Sequence, residues 1–335
     1  MRKVLVTGAT GFLGRHLVER LLADKERRGN LTVRILARRG TGWTGNGSVE
    51  VVEGDILDAR AVDRAAAGVD AIFHLAGRVS RNPADAAALY DIHVRGTRNI
   101  CEAALAHGRP RVVLASSSGT IAASRQPVLH TEEAPYVVEL AGRWPYYLSK
   151  IYQEKLALAY HHHHQLPVVI LNPSLLLGPG DERLSSTGDV LLFLQGHFLS
   201  IPGGGLNFVD ARDTAAAMVT AMEKGVPGQR YLIGGHNLTI REFFALLERV
   251  SGVRGPQWEL PESWSRGGAA LLGWFYRMAG SRYPVEDETI EMAYRFWYCD
   301  SRRARQELGF DPRPAEETLR DTIAYLRRRP GALAP

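Results

Sequence analysis

Short apolar runs alternate with longer stretches of helical periodicity along the first half of this chain. The runs are rich in Val, Ile and Leu, as buried strands are. Between two of them, Leu13, Leu17 and Leu21 recur every four residues, which predicts an amphipathic helix. The alternation predicts an α/β fold, a doubly wound parallel sheet with helices on both faces. The predicted strands are Lys3–Thr7, Leu31–Ala37, Val49–Val52, Ala71–Leu75, Arg111–Ala115 and Leu166–Leu171.

After about Pro173 the strand periodicity weakens, and loops rich in Gly and Pro separate isolated elements. We therefore predict one large sheet domain, residues 1–173 with returning segments at about 207–234. Residues 174–206 and 235–335 are expected to form a smaller, interleaved lid. In open α/β sheets the ligand lies at the carboxyl ends of the strands, so the lid is expected to cover that edge.

Charge and composition exclude several classes of protein. The 335 residues carry 41 basic and 36 acidic side chains, a net charge of +5, and 36 of the 41 basic residues are Arg. These Arg residues are scattered among acids rather than clustered, so the pattern predicts no nucleic-acid partner and favours a small-molecule substrate. The oligomeric state is left open between monomer and homodimer.

Two cysteines allow at most one disulfide and no multi-cysteine metal cluster, which suits a reducing compartment. The apolar run after Met1 is too short for a secretory signal, and the stretch 268–280 is too short to span a bilayer. We predict a cytoplasmic protein. The run His161–His164 is more typical of a solvated helix end than of a metal site, because consecutive side chains point in different directions around a helix.

Glycines follow the first predicted strand and open the first predicted helix. Gly8, Gly11 and Gly14 have the spacing TGxxGxxG. Glycines permit close backbone approach, and a helix N-terminus attracts a pyrophosphate, so this context predicts a dinucleotide site. Arg38 and Arg39 end the second strand where an NAD enzyme carries an acid. A guanidinium suits a 2′-phosphate, which predicts NADP(H), with NAD(H) as the alternative.

Tyr146 and Lys150 stand four residues apart, on one face of a predicted helix. An ammonium beside a phenol stabilises the phenolate and lowers its pKa, which would make Tyr146 an acid–base group. Ser116, Ser117 and Ser118 follow the fifth strand and are candidates to polarise a substrate oxygen.

With these motifs the chain resembles the extended short-chain dehydrogenase/reductases, the epimerase/dehydratase family, which have a Rossmann fold. Gly54–Leu57 (GDIL), His74–Gly77 (HLAG) and Asn172–Asp181 (NPSLLLGPGD) extend the likeness. It is greatest to dihydroflavonol 4-reductase-like, hopanoid-associated epimerase-like and 3β-hydroxysteroid dehydrogenase-like proteins. His93 departs from the family, which has Asn there. It is either a substitute hydrogen-bond donor or a buried core histidine, and we favour the second.

The resemblance implies an enzyme in which Tyr146, Lys150 and a serine are catalytic. Strand register selects Ser117, with Ser118 as the alternative. Tyr146 and Lys150 are also expected to contact the cofactor. The other expected cofactor contacts are Gly8, Thr10, Gly11, Phe12, Leu13, Gly14, Arg38, Arg39, Asp55, Ile56, Leu75, Ala76, Gly77, Ser116 and Pro173.

The expected reaction is hydride transfer between a ketone and a secondary alcohol on an apolar, sterol-, hopanoid- or flavonoid-like molecule. The apolar segments Val190–Leu194 and Leu271–Met278 favour such a pocket, although lid core or a subunit contact explains them equally well. Trp274, Phe275 and Met278 are also candidates for contact with a membrane surface. The alternative function is a nucleotide-sugar epimerase or dehydratase with tightly bound NAD. A non-catalytic redox-sensing protein of this fold is disfavoured by the Tyr146/Lys150 pair.

Overall fold

Ten strands form two sheets in the computed structural model, which describes residues 2–29, 31–38, 43, 49–265, 267–268, 274, 278 and 287–329. Seven parallel strands form the large sheet, in the order β3-β2-β1-β4-β5-β6-β9. The predicted α/β fold of Rossmann type is thereby confirmed. The strands are β1 Arg2–Thr7, β2 Leu31–Ala37, β3 Val49–Glu53, β4 Ala71–His74, β5 Arg111–Ala115, β6 Val168–Pro173, β7 Leu175–Leu177, β8 Gly205–Asp210, β9 Arg230–Ile233 and β10 His236–Thr239.

Helices cover both faces of the large sheet. Val4 and Val6 face the core beside α1 and α8, whereas Leu5 faces the core beside α2, α4 and α6. This alternation is what a strand buried on both sides requires. The helices are α1 Phe12–Arg28, α2 Ala59–Ala66, α3 Ala86–Tyr90, α4 Gly96–Ala106, α5 Val138–Ala141, α6 Pro145–His164, α7 Gly188–Leu194, α8 Ala211–Lys224, α9 Ile240–Ser251, α10 Asp287–Ala293, α11 Arg302–Leu308 and α12 Ala315–Arg327, with a π-helical turn at Asp91–Arg95 between α3 and α4.

The strand order reverses at β1, which pairs with β2 on one side and with β4 on the other. At such a reversal the connections leave in opposite directions and open a crevice at the carboxyl ends of the strands. The glycine loop after β1 and the loop after β4 therefore meet at this crevice.

A smaller sheet of β10, β8 and β7 lies beyond the end of β6. β8 pairs with β7 and β10, whereas α8 packs on the large sheet and β9 pairs with β6. The smaller sheet has its own apolar core with α7, α9 and α12, which includes Phe193, Phe208, Phe243 and Leu319. Among the helices described, none has both the length and the apolar character needed to cross a bilayer.

Candidate functional site

A cleft of about 1380 Å³ runs from the glycine loop, past the carboxyl ends of the strands, to the smaller sheet. A pocket for one small ligand usually has about 300–1,000 Å³. The cleft therefore has room for two molecules side by side. Its two halves differ in character, because glycines line one end and aromatic and aliphatic side chains line the other.

The glycine loop leaves no space for side chains. Gly8 has a φ of 75°, a conformation that favours glycine, and a Cβ there would lie 2.6 Å from the carbonyl of Leu75. A Cβ on Gly14 would collide with the carbonyl of Gly8. Helix α1 begins at Phe12, and its first N–H groups have no partner within the helix. This glycine cradle at a helix N-terminus fits the pyrophosphate of a dinucleotide.

Most of the predicted cofactor residues line this cleft. Arg38 is exposed at its edge, directly after β2. Three predicted residues are not in its lining: Asp55, Ile56 and Ala76. The Asp55 carboxylate accepts the backbone N–H of Leu57 at 2.9 Å. Ala76 donates its backbone N–H to the hydroxyl of Thr7 at 3.3 Å. Arg39 lies outside the described residues. The predicted residues in the lining are Gly8, Thr10, Gly11, Phe12, Leu13, Gly14, Arg38, Leu75, Gly77, Ser116, Ser117, Tyr146, Lys150 and Pro173.

Tyr146, Lys150 and Ser117 meet in the middle of the cleft. Helix α6 begins at Pro145, a residue suited to the first position of a helix, so Tyr146 and Lys150 follow one turn apart on its inner face. Ser117 lies close enough to the Tyr146 hydroxyl to lower the Tyr146 pKa, whereas Ser118 is buried beside Ser117. The three side chains predicted to be catalytic are therefore brought together.

The pKa values of this pair differ from the expectation drawn from the sequence. Burial, followed by the neighbouring Tyr147, raises the pKa of Tyr146, and the Ser117 hydrogen bond offsets this only in part. Burial also lowers the pKa of Lys150 to about 7, although the Glu154 carboxylate opposes that shift. The expected lowering of the Tyr146 pKa by Lys150 is therefore wrong for this arrangement: burial has the largest effect, and the only opposing effect comes from Ser117. Tyr146 is a protonated phenol at neutral pH.

The buried carboxylate of Glu154, which was not predicted from the sequence, supports the loop that contains Ser116, Ser117 and Ser118. Oε1 of Glu154 accepts hydrogen bonds from Ser116, from Thr120 at 2.9 Å and from Nδ2 of Asn172 at 2.6 Å. Asn172 also donates to the carbonyl of Ser117 at 3.0 Å. Glu154 follows Lys150 by four residues on the same helix, and this spacing is the signal that could have revealed it.

His93 is fully buried and hydrogen-bonded at both ring nitrogens. Its Nε2 accepts the backbone N–H of Arg78 at 3.2 Å, so the ring proton resides on Nδ1. Nδ1 lies 2.8 Å from the hydroxyl of Ser149. Ser149 in turn donates to the carbonyl of Tyr146 at 2.7 Å. His93 also lines the cleft, so this geometry fits both interpretations, a buried histidine with satisfied hydrogen bonds and a substitute donor. Burial keeps the ring neutral by lowering its pKa, and the Lys150 charge adds to that effect.

The other half of the cleft is an aromatic and aliphatic wall. The ring of Tyr147 lies 5.1 Å from those of Tyr146 and Trp297, and 6.1 Å from that of Trp144. Gly119 permits this packing, because a Cβ there would collide with the Tyr147 ring. Aliphatic and aromatic side chains from the smaller sheet side complete the wall: Val190, Leu191, Leu192, Phe198, Leu206, Ile240, Phe243, Phe244 and Met292.

An ion pair crosses this half of the cleft. Both guanidinium nitrogens of Arg81, in the loop after β4, donate to the carboxylate of Asp189 in α7, at 3.0 and 2.7 Å. Arg81 also donates to Thr289 in α10 at 2.8 Å. Three segments that are distant in sequence are tied together here, and no local motif in the sequence announces this contact.

Two further expectations concern surfaces away from the cleft. Among the residues described, no three His, Cys, Asp or Glu side chains are placed to hold a metal ion. The apolar segment 271–278 lies mostly outside the described residues, and so does Phe275. Trp274 is about half exposed and Met278 is largely exposed. Membrane contact and location in the cell stay predictions.

A dinucleotide cradle that leads into a Ser/Tyr/Lys cluster defines a nicotinamide-dependent oxidoreductase with a Rossmann fold. Residues 4–234 match the NAD dependent epimerase/dehydratase family, and the chain belongs to that family. It is 32% identical to sterol demethylase protein B of Methylococcus capsulatus, over 97% of this chain and 98% of that protein. It is 27% identical to a 3-beta-hydroxysteroid dehydrogenase of Mycolicibacterium neoaurum, over 96% and 91% respectively.

Solved structures show the same architecture. The crystal structure of gox2253 superposes with a TM-score of 0.81 at 31% identity, covering 98% of both chains. DesIV, a dTDP-glucose 4,6-dehydratase of Streptomyces venezuelae, superposes with a TM-score of 0.75 at 25% identity, covering 98% of this chain and 97% of its own. That structure is of a double mutant with NAD and DAU bound. The relatives thus include sterol-related proteins as well as a nucleotide-sugar dehydratase.

Proposed function

We propose that this protein interconverts a ketone and a secondary alcohol on an apolar, sterol-like molecule, with NADP(H) as the preferred cofactor. One observation carries the proposal: Tyr146, Ser117 and Lys150 line the same cleft as the glycine loop, and the Tyr146 ring lies 5.1 Å from the ring of Tyr147 in the aromatic half. A proton donor in this cleft can act on a molecule in either half.

When bound, the nicotinamide supplies hydride to the carbonyl carbon or accepts it from the alcohol carbon. Tyr146 gives its proton to the substrate oxygen in reduction and takes it back in oxidation. The phenol is protonated at neutral pH, but burial raises its pKa and makes it a weaker acid, so donation of its proton depends on stabilisation of the phenolate. Ser117 hydrogen-bonds the same oxygen, and Lys150, one turn further along the helix, stabilises the phenolate that forms when the proton leaves.

The aromatic wall supports an apolar substrate. Trp144, Tyr147 and Trp297 line the cleft with aromatic rings, which bury hydrocarbon surface well. The division into a cofactor domain, residues 1–173 with about 207–234, and a substrate-binding lid, residues 174–206 and 235–335, is part of the proposal. It is supported by the separate apolar core around the smaller sheet. The likeness to sterol demethylase protein B and to a 3-beta-hydroxysteroid dehydrogenase points to the same substrate class.

The test is turnover of Tyr146→Phe on a panel of sterol, flavonoid and nucleotide-sugar carbonyls, with NADPH and NADH. Loss of the proton donor is expected to lower kcat by at least a hundredfold while cofactor affinity is retained. Tyr152→Phe is the matched control, because Tyr152 lies on the same helix but is 46% exposed. Wild-type turnover of the sugar substrates alone, or full turnover by Tyr146→Phe, would overturn the proposal.

The preference for NADP(H) rests on Arg38, which lies at the cleft edge after β2. One charge-assisted hydrogen bond to a phosphate contributes about 1.5–3 kcal/mol. We therefore expect Arg38→Asp to raise the KM for NADPH at least about tenfold and to leave or lower that for NADH. Arg125→Asp, at an exposed loop position, is the control. An unchanged NADPH KM in Arg38→Asp would contradict the assignment.

The likeness to DesIV favours one alternative, a nucleotide-sugar epimerase or dehydratase. Such an enzyme regenerates its cofactor in every cycle and retains it tightly. Denaturing the purified protein and identifying the released nucleotide separates the two functions. Stoichiometric NAD, together with turnover that needs no added cofactor, would establish the alternative. A protein free of nucleotide that consumes NADPH in proportion to product supports the redox function.

A further inference from the structure

A chain of buried hydrogen bonds runs from Lys150 to the glycine loop, behind the cleft. Lys150 Nζ donates to Oε1 of Gln153 at 2.8 Å, and Nε2 of Gln153 donates to Thr97 at 2.7 Å. The Thr97 hydroxyl lies 2.8 Å from Nε2 of His74, whose Nδ1 lies 2.8 Å from the hydroxyl of Thr7. All five side chains are at most 6% exposed. The chain links α6 and α4 to the ends of β4 and β1.

The Lys150 end fixes the donor-to-acceptor direction of this hydrogen-bond chain. An ammonium can only donate, so the amide oxygen of Gln153 must face Lys150 and its NH2 group must face Thr97. Thr97 can then give its own hydrogen to Nε2 of His74 when that ring is neutral and protonated at Nδ1. Burial lowers the pKa of His74 to about 3, with the Lys150 charge adding to the shift. The four links can therefore all run in one direction, from Lys150 to Thr7.

The hydrogen-bond chain restricts the contacts that the Lys150 ammonium can make. Among the residues described, its ammonium has two hydrogen-bond partners, the carbonyl of Ala115 at 2.8 Å and Gln153. Lysine has three N–H donors, so one remains for the cleft that Lys150 lines. Without Gln153, a flexible four-carbon side chain would be held at Nζ by the Ala115 carbonyl alone.

We infer that Gln153 is a positioning residue, which holds Lys150 in register with Tyr146 by anchoring its ammonium through Thr97 and His74 to the strand that carries the glycine loop. The inference rests on the proposed function, because it assigns a role to the same Tyr146/Lys150 pair. A buried leucine of similar volume would fill the same space without an unmet hydrogen bond of its own. The glutamine at this fully buried helix position is explained by its two directed contacts.

Two substitutions separate positioning from simple structural support. Gln153→Leu removes both contacts, and kcat is expected to fall about tenfold, the equivalent of one charge-assisted hydrogen bond. Gln153→Glu keeps the acceptor for Lys150, so it is expected to retain most of the turnover at neutral pH. It also adds a negative charge, so the pH above which kcat declines is expected to rise by about one unit or more. Gln306→Leu and Gln306→Glu, on the exposed side of α11, are the matched controls.

A second readout does not depend on turnover. Lys150 is one of only five lysines, so its reactivity toward acetic anhydride can be followed by mass spectrometry as pH rises. The charge that acts on Lys150 is that of Glu154 on its own helix. His74 from β4 and His93 from the π-helical turn lie near it as neutral rings, and all three groups are the same in every variant. The labelling midpoint is expected to move down in Gln153→Leu and up in Gln153→Glu.

Lower melting temperatures with unmoved labelling midpoints would show that Gln153 is only structural and would overturn the inference. If Gln153→Leu fails to fold, Thr97→Val, which removes one hydroxyl from the chain, is expected to lower kcat, while Thr97→Ser restores it. If the wild type is active and the Gln153 variants match it in kcat and in labelling midpoint, this inference is refuted and the proposed function stands. An inactive wild type would refute the proposed function, and the labelling midpoints would still decide the role of Gln153.

Discussion

Breaking the ion pair between Arg81 and Asp189 should measurably loosen the cleft. The pair is bidentate, at 3.0 and 2.7 Å, with side chains 29% and 30% exposed. Exposed pairs contribute about 0.2–1 kcal/mol, and breaking a fully buried one costs about 3–5 kcal/mol. At this intermediate burial we expect a coupling free energy of about 1.5–2 kcal/mol.

The assay is a double-mutant cycle with Arg81→Ala, Asp189→Ala and the double variant, measured by urea unfolding. The cycle cancels whatever else each side chain contacts. Arg95 and Asp91, an exposed pair on one helical turn, are the control and should give about 0.3–0.5 kcal/mol. Because the pair joins the loop after β4 to α7, the single variants should also raise the substrate KM.

The coupling free energy between Arg81 and Asp189 should decrease as the pH is lowered into the acid range. Burial opposes ionisation of Asp189, and the charge and hydrogen bonds of Arg81 outweigh it, so the pKa of Asp189 lies below its ordinary value. The stabilisation is therefore present at neutral pH and is lost as pH falls below about 4. A coupling no larger than that of Arg95 and Asp91, or one unaffected by acid, would refute the reasoning.

Two other changes test the glycine cradle and the buried lysine. Gly8→Ala should weaken cofactor binding and lower the unfolding free energy by more than about 1 kcal/mol, because its Cβ meets the Leu75 carbonyl at 2.6 Å. Gly108→Ala, with a similar φ but open space around it, should leave cofactor affinity intact. The pKa of Lys150 is about 7 when folded and 10.5 when free, so the unfolded chain binds an extra proton between these values and stability rises with pH there. Relative to Lys150→Met, the wild type should therefore gain up to about 1.4 kcal/mol per pH unit between pH 7 and 9. A pH-independent difference would contradict this.

The residues most visible in the sequence were those with local reasons for their identity. Gly8 and Gly14 are required by backbone geometry within one turn, and Tyr146 and Lys150 by the pitch of one helix. The six predicted strands agree to within a few residues with β1 to β6, because burial on both faces leaves a continuous apolar run in the sequence. The strands β7, β8, β9 and β10 were not predicted. The pKa direction of Tyr146 was not predictable in this way, since it depends on how completely the folded chain covers the phenol.

The amino-acid sequence by itself indicated the parallel sheet, the glycine turn and the Tyr146/Lys150 spacing, because each leaves a recognisable pattern within one or a few short segments of the chain. Tertiary structure alone decided the contacts of Lys150 with Gln153 and Ala115, and of Arg81 with Asp189. Arg81 and Asp189 are 108 residues apart. Their contact depends on how the loops and helices pack around the sheet, and packing at that range leaves no periodic signal in the sequence.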